Sequence, residues 1–151
     1  MAAVKWLVIH HSGAGPGRPT ALAVAQYQTG PTAHLDFPAM AYHFYCEADG
    51  TIEQVHDLET LTWSQGDGSP YSVNGVGIFN YWGIAACFSG DEPTEQQISA
   101  LKALGTAVDV LMDRSLQRLG HKDVSKSPDG TPLTECPGAG WATWRTRIEI
   151  H

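Results

Sequence analysis

Residues 83–111 read GIAACFSGDEPTEQQISALKALGTAVDVL, and this stretch decides the fold class because it places a strand directly before a helix. Its first six residues, from Gly83 to Phe88, are apolar throughout, which is typical of a central strand covered on both faces. A buried strand followed by a helix that packs on the same sheet is a common unit of layered α/β folds.

The helix in this stretch is predicted from its cap and its apolar spacing. Thr94 occupies the N-cap position and Gln97 the third helical position, a capping-box arrangement. Apolar residues then recur at helical spacing, at Ile98, Leu101, Leu104, Val108 and Leu111. We expect this helix to end near Leu119, with Gly120 as its C-cap.

The N-terminal segment adds a strand and a shorter helix. Val4–Ile9 reads as a buried strand, and 13–19 is a Gly/Pro-rich loop. Thr20 is placed to cap a helix that runs to about Gln28. Leu22, Ala25 and Gln26 would lie on one face of that helix.

Two further strands and a last helix complete the predicted elements. Segments 41–46 and 51–56 read as short strands, joined by a turn whose Asp49-Gly50 pair is typical of hairpins. A last helix is predicted over 141–148.

Two long irregular stretches, 58–81 and 121–140, separate these elements. Loops of this length are uncommon unless they build a site, so we expect them to flank a groove. The predicted fold class is α/β, in which one central mixed β-sheet is flanked by helices. Residues 1–151 are expected to form a single domain.

Composition narrows the possible partners. Hydrophobic residues make up 42% of the chain and charged residues 17%, as in globular proteins. The net charge of −7 argues against nucleic-acid binding, which needs clustered cations. No apolar stretch approaches the ~20 residues that span a bilayer, and the apolar run from Trp6 is too short for a signal peptide. We therefore expect no nucleic-acid or membrane partner, and synthesis in the cytoplasm.

The three cysteines and the histidines suggest one metal site. An odd cysteine count this low does not indicate a disulfide scaffold, and Cys46 and Cys87 lie in apolar runs as buried small residues. Cys136 instead lies in a turn, fifteen positions after His121, while His10 closes the first strand. These three side chains would suit a catalytic zinc site with three protein ligands. From spacing alone, His10 could equally be an ordinary histidine of the core or its rim.

Four segments, in this order along the chain, resemble the motifs of zinc-dependent N-acetylmuramoyl-L-alanine amidases, the type 2 amidases shared by phage lysins and peptidoglycan-recognition proteins. They are VIHHSGAG from Val8, MAYHFYCEADGTI from Met40, NYWGIAACFSG from Asn80, and GHKDVS with TECPG between Gly120 and Gly138. The resemblance therefore covers nearly the whole chain.

The resemblance implies roles for five residues. His10, His121 and Cys136 correspond to the Zn²⁺ ligands of the family. Tyr42 corresponds to a tyrosine that polarises the scissile carbonyl or orients the attacking water. Thr134 corresponds to a position held by Lys or Thr in active members, where it stabilises the oxyanion or the zinc-bound water. Read without the family, Tyr42 could be a packed aromatic and Thr134 a turn residue.

The chain also departs from the family pattern. Many relatives have a Glu in the central strand as the general base, where this chain has Ala85, and a substrate-facing His is replaced in the segment from Trp63 to Gly66. Trp63 and Asn80 are candidates for lining the groove and binding substrate, although such residues are as often part of the core.

The implied function is hydrolysis of the lactyl–L-alanine amide of bacterial peptidoglycan by a monomeric endolysin. It would be made in the host cytoplasm and would act on the wall after release. Two alternatives remain at this stage: a peptidoglycan-binding module without catalysis, marked in this family by loss of the Cys ligand, and a cytosolic amidase that recycles muropeptides. Since Cys136 is present, the catalytic interpretation is favoured.

Overall fold

A computed structural model of the protein describes residues 4–15, 17–30, 35, 37–65, 72–73 and 76–149. The strands and helices follow one another as β1 Trp6–His11, α1 Ala21–Thr29, β2 Phe44–Cys46, β3 Ile52–Gln54, β4 Ser72–Val73, β5 Val76–Gly77, α2 Ile78–Trp82, β6 Gly83–Phe88, α3 Glu95–Met112, β7 Gln117–Gly120, α4 His121–Val124 and α5 Trp141–Trp144, with a 3₁₀ turn at Arg145–Arg147.

Five of the strands form one mixed sheet in the order β3–β2–β6–β1–β7. The neighbouring pairs β2–β6, β6–β1 and β1–β7 are parallel, while β3 pairs antiparallel with β2. The apolar strand β6 is buried along its whole length, as its sequence predicts. The predicted α/β class, with one mixed sheet flanked by helices, is therefore confirmed.

The two faces of this sheet carry different clusters. On one face, Ile9, Ile84 and Phe88 pack against Leu101 of α3 and Trp144 of α5 in the larger core cluster. On the other face, α1 covers a smaller cluster that includes Tyr45, Cys87 and Val24. Because successive strand residues point to opposite faces, His10 lies opposite Ile9, on the face covered by α1.

Helix α3 begins as predicted but ends earlier. Thr94 and Gln97 form the capping box, with the Thr94 side chain accepting from the Gln97 N–H. The prediction that the helix reaches Gly120 is wrong, because Asp113 takes a left-handed conformation and closes it after Met112. Leu111 accordingly lies outside the core and is 68% exposed.

The residues beyond α3 form the edge strand β7, which the sequence did not predict. Arg118 lies buried in this strand, where it pairs with Asp109 of α3 at 2.8 Å and donates to the Leu116 carbonyl. Gly105 leaves room for it, since a Cβ there would lie 2.8 Å from the guanidinium. A buried arginine breaks the apolar pattern of a strand, which explains the wrong prediction.

The shorter elements also differ in detail. Thr20 caps α1 as predicted, but the buried residues of that helix are Ala21, Val24 and Gln28 rather than the predicted set, and Leu22 is exposed. The hairpin with Gly50 in its turn is confirmed, although its strands are shorter than predicted.

The two long loops contain some regular structure. The first includes the small β4–β5 hairpin and α2, and residues 66–71 and 74–75 lie outside the described part. The second includes α4 and an isolated bridge between Lys126 and Pro132. Among the described residues, no helix is both long and apolar enough to cross a membrane.

Candidate metal centre

His10, His121 and Cys136 converge at one end of the sheet. Their ligand atoms all lie within 4.8 Å of one another, and both His10 and Cys136 are buried. The topology explains the meeting of the two histidines: β1 and β7 are parallel neighbours, His10 lies near the carboxyl end of β1, and His121 follows β7 directly.

Backbone contacts hold Cys136 against the two histidines. Its carbonyl accepts from the Lys122 N–H at 2.7 Å, which ties the cysteine loop to α4. Its Sγ accepts the His11 N–H at 3.3 Å, and its own N–H donates to Thr134 Oγ1 at 3.1 Å. Cys136 is thus held by β1 through the His11 N–H and by α4 through the Lys122 N–H.

The protonation states suit a metal site. Burial, reinforced by the neighbouring imidazoles of His121 and His11, lowers the pKa of His10 well below its ordinary value. Burial likewise lowers the pKa of His121 to about 4, so both rings are neutral at pH 7 and keep a free lone pair. Burial raises the pKa of the Cys136 thiol to about 12, so a metal would have to displace its proton.

The spacing of these groups fits zinc. Tetrahedral Zn²⁺ with bonds of about 2.05 Å to nitrogen and 2.3 Å to sulfur separates an N and an S ligand by about 3.6 Å. His10 Nδ1 and Cys136 Sγ are 3.7 Å apart. The Nε2 atom of His10 is buried without a hydrogen-bond partner among the described residues. A donor set of two imidazoles and one thiol at this spacing is one that suits a zinc ion.

Tyr42 lies beside the cluster, with its ring centroid 5.2 Å from that of His10. Burial raises the pKa of its phenol well above the ordinary value, and the nearby Cys87 and Cys136 raise it further, while hydrogen bonding to the Gln28 side chain lowers it. The phenol therefore stays protonated at neutral pH and can donate a hydrogen bond.

Thr134 is placed by the same loop as Cys136. Its Oγ1 accepts the Cys136 N–H, so the hydroxyl hydrogen is available for another acceptor. The turn role and the predicted catalytic role are compatible, since one uses a lone pair of the hydroxyl and the other its hydrogen.

The two predicted substrate-binding residues are placed differently. Trp63 is 47% exposed and can meet a ligand, whereas Asn80 is buried, with Oδ1 accepting the Gln65 N–H at 2.9 Å. The Gln65 backbone also acts on His121, since it raises the pKa of that imidazole against the effect of burial. Asn80 therefore supports a segment behind the metal ligand, and substrate contact by either residue stays a prediction.

His43 is bound by backbone groups on both sides of its ring. His43 Nδ1 accepts the Ala85 N–H at 3.0 Å, and its Nε2 donates to the Thr60 carbonyl at 2.8 Å. Both ring nitrogens are thus occupied by backbone groups, so His43 holds neighbouring segments together.

A cavity of about 400 Å³ opens next to Tyr42. Its walls come from the loop after β1, with Ser12 and Gly13, and from α1, with Tyr27 and Gln28. None of the described residues that line it carries a charge at neutral pH. Sequence reasoning missed Gln28 here, because a polar residue in a short helix is expected to face solvent.

The chain can now be compared with known proteins. The family model for N-acetylmuramoyl-L-alanine amidase matches residues 1–139. A comparison with curated protein sequences finds no significant match.

Solved structures of similar fold include N-acetylmuramoyl-L-alanine amidase LysC from Clostridium intestinale URNW, with a TM-score of 0.69, 20% identity, and coverage of 99% of this chain and 87% of that one. A selenomethionine derivative of AmpD gives a TM-score of 0.71 at 22% identity, over 97% of this chain and 85% of that one. The Ph2119 endolysin from Thermus scotoductus MAT2119 bacteriophage Ph2119 gives a TM-score of 0.67 at 16% identity, over 97% of this chain and 86% of that one. These likenesses show the fold, and the match of the family model over most of the sequence shows that the chain belongs to the N-acetylmuramoyl-L-alanine amidase family.

Proposed function

We propose that this protein is a zinc-dependent amidase that hydrolyses the lactyl–L-alanine amide of bacterial peptidoglycan. The observation that carries the proposal is the convergence of His10, His121 and Cys136 within 4.8 Å. Three protein ligands leave the fourth tetrahedral position to water, as in catalytic rather than structural zinc sites.

The metal would contribute one part of the chemistry. When bound, zinc would act as a Lewis acid and lower the pKa of water to about 7. Overall, the carbonyl carbon of the lactyl group gains a hydroxyl from water, and the nitrogen of L-alanine leaves with a proton as the free amine.

The protein's own side chains supply hydrogen-bond donors for the oxyanion. Tyr42 is kept protonated by burial and lies against His10. The Thr134 hydroxyl has its hydrogen free, since it accepts rather than donates toward Cys136. A donor directed at a developing oxyanion is worth about 3 kcal/mol in typical enzymes. With Ala85 at the position of the general base of many relatives, Tyr42 and the metal would carry more of the reaction.

We place this activity in a phage or prophage endolysin that works as a monomer on the cell wall. The likeness to the bacteriophage Ph2119 endolysin supports this setting. The two alternatives predict different substrates: a recycling amidase prefers soluble muropeptides to intact walls, and a binding module retains walls without cleaving them.

The test measures release of L-alanine amino groups from purified peptidoglycan by the zinc-loaded protein, by the chelated protein, and after zinc is added back. We expect release by the loaded protein, loss after chelation and recovery with zinc. Parallel assays of amine release from soluble muropeptides and of sedimentation with walls distinguish an endolysin from a recycling amidase and from a binding module. Sedimentation with walls but no amine release from the zinc-loaded protein would contradict the enzymatic proposal.

A further inference from the structure

We propose that Asp123 is a positioning residue that holds His121 and the loop carrying Cys136 at the spacing that a metal ion needs. The inference rests on the proposed function, because it takes these two side chains as zinc ligands. Asp123 lies two residues after His121 in α4, and its carboxylate accepts hydrogen bonds from Gly120 and Trp141.

One oxygen of the Asp123 carboxylate accepts both of these hydrogen bonds. Its Oδ2 atom lies 2.8 Å from the Gly120 nitrogen and 2.7 Å from the indole nitrogen of Trp141. Both distances are those of well-formed hydrogen bonds. Gly120 is the last residue of β7 and directly precedes His121, so this oxygen fixes the point at which the chain leaves the sheet toward the metal ligand.

Trp141 anchors the carboxylate to the apolar core. Its side chain is buried and packs edge-on against Trp144, with the ring centroids 4.7 Å apart and the ring planes at 76°. Trp144 in turn packs edge-on against Phe88 of β6, at 5.6 Å. Because these rings belong to the larger core cluster, the indole N–H of Trp141 is a fixed reference point for Asp123.

The loop that carries Cys136 contacts the same point. A Cβ at Gly120 would lie 2.6 Å from Cδ of Pro137 and 2.8 Å from Nε1 of Trp141. Pro137 directly follows Cys136, whose carbonyl accepts the Lys122 N–H at 2.7 Å. The cysteine loop is therefore packed against the turn that the carboxylate holds.

Loss of the carboxylate would loosen both of these ligand-bearing segments at once. The ligand atoms of His10, His121 and Cys136 lie within 4.8 Å of one another, and a metal ion binds tightly only where such a spacing is maintained. Groups that orient metal ligands without touching the metal typically contribute about 10- to 100-fold to its affinity. Asp123 is thus assigned to the spacing of the ligands and not to contact with the substrate.

The first test measures the Kd for zinc by competition with a chromophoric chelator. In Asp123→Ala, which removes the acceptor of both hydrogen bonds, the Kd should rise about 10- to 100-fold. Asp123→Asn keeps one carbonyl oxygen that can accept both N–H groups, so its Kd should stay within about threefold of the parent value. A parental Kd in Asp123→Ala would overturn the inference.

The two tryptophans of α5 form a matched pair that separates positioning from general stability. Both are buried, and each donates its indole N–H to a carboxylate, Trp141 to Asp123 and Trp144 to Glu92 Oε2 at 3.2 Å. Trp141→Phe and Trp144→Phe should lower Tm by similar amounts, since each leaves a comparable cavity in the core. The Kd for zinc should rise about tenfold in Trp141→Phe alone. An equal rise in both variants would overturn the inference, because the affinity would then follow stability.

A further measurement requires neither zinc nor catalysis. In the metal-free protein, hydrogen exchange of the Lys122 N–H, followed by NMR, reports the contact between α4 and Cys136. This exchange should be about tenfold faster in Asp123→Ala than in the parent, and unchanged in Asp123→Asn. Parental exchange in Asp123→Ala would overturn the inference. Faster exchange in that variant, together with a parent that binds no zinc, would support the positioning of Cys136 by Asp123 and count against the proposed function only.

Discussion

The face of the sheet under α3 and the face that carries His10 are built from alternate residues of the same strands. Ile9 and Phe88 point into the large apolar cluster, whereas His10 and Cys87 point to the opposite side. On the first face, contacts between apolar side chains dominate. On the second, polar side chains are buried beside one another, and the Nε2 atom of His10 has no described partner.

This difference shows how one sheet serves two purposes. Apolar burial on the α3 side stabilises the fold by about 25 cal/mol per Å² of surface removed from water. That stability allows the opposite face to keep ligand atoms together that would be unfavourable in a packed core. Damage to the first face should therefore reduce stability, and damage to the second should reduce function.

The largest effect is expected from Cys136→Ala on the metal face, compared with Cys46→Ala on the α3 face. Loss of a zinc ligand should lower amidase activity by about 1,000-fold, since metal catalysis contributes several kcal/mol. Cys46 is equally buried but packs in the apolar cluster. Its replacement should lower the free energy of unfolding by about 1 kcal/mol while zinc content and activity remain.

Zinc content by mass spectrometry, denaturant unfolding and amine release distinguish the two variants. A Cys136→Ala protein with full zinc and full activity would contradict the assignment of this ligand. Loss of zinc in Cys46→Ala would contradict the separation of the two faces.

The next effect concerns the ion pair that attaches β7 to α3. In Asp109→Asn, the buried guanidinium of Arg118 loses its counter-charge, which should lower the free energy of unfolding by about 3 kcal/mol. Activity per folded molecule should not change, because this pair lies on the α3 side. The exposed pair of Glu95 and Arg147 offers a matched control, and Glu95→Gln should have no measurable effect on unfolding.

The same pair predicts a pH dependence. Burial raises the pKa of Asp109, but hydrogen bonds from Arg118 and the Leu116 N–H outweigh it, so the pKa in the folded protein is lowered. The stabilisation by the ionised carboxylate is thus complete above about pH 4, the ordinary value, and is lost as pH falls through the lower folded value. The free energies of unfolding of the parent and of Asp109→Asn, measured in urea, should differ by a constant amount between pH 5 and 8. The two values should converge in acid. A difference that persists at low pH would contradict this account.

Helix α3, which covers one face of the sheet, could be predicted from the sequence because its signals are local. The capping box at Thr94 and the apolar spacing through Val108 lie within one segment and need no distant partner. Strand β7 was not predictable in this way, because the burial of Arg118 depends on Asp109 in another element.

On the metal face, the resemblance to the family motifs identified the three residues that the structure brings together. It did not identify Gln28, whose side chain is buried and accepts the Ala41 N–H from another segment. The spacing of residues along the chain does not reveal contacts between separate segments. Polar residues that support a site through such contacts are therefore recognised only once the fold is known.

A smaller effect is expected when the N-caps of α3 and α1, on the two faces of the sheet, are removed. Thr94 forms a full capping box and also donates to the Ala48 carbonyl, whereas Thr20 accepts a single long bond from Ala23. Thr94→Ala should lower the free energy of unfolding by about 1–2 kcal/mol and Thr20→Ala by about 0.5 kcal/mol. Thermal unfolding of the zinc-free proteins measures both, and the reverse order would show that α1 contributes more to the stability than its single cap suggests.

The smallest effect is expected from a substitution at Leu111, near the C-terminal end of α3. Leu111 continues the helical spacing of the apolar residues, yet it is 68% exposed, and the next residue, Met112, packs against the core instead. Leu111→Ala should therefore change the free energy of unfolding by less than about 0.5 kcal/mol, the range of ordinary surface substitutions. Leu101→Ala, earlier on the same stripe and 1% exposed, should lower the free energy of unfolding by about 2–5 kcal/mol. Equal losses in urea unfolding would mean that the apolar face of α3 extends to Leu111, as its periodicity alone suggests.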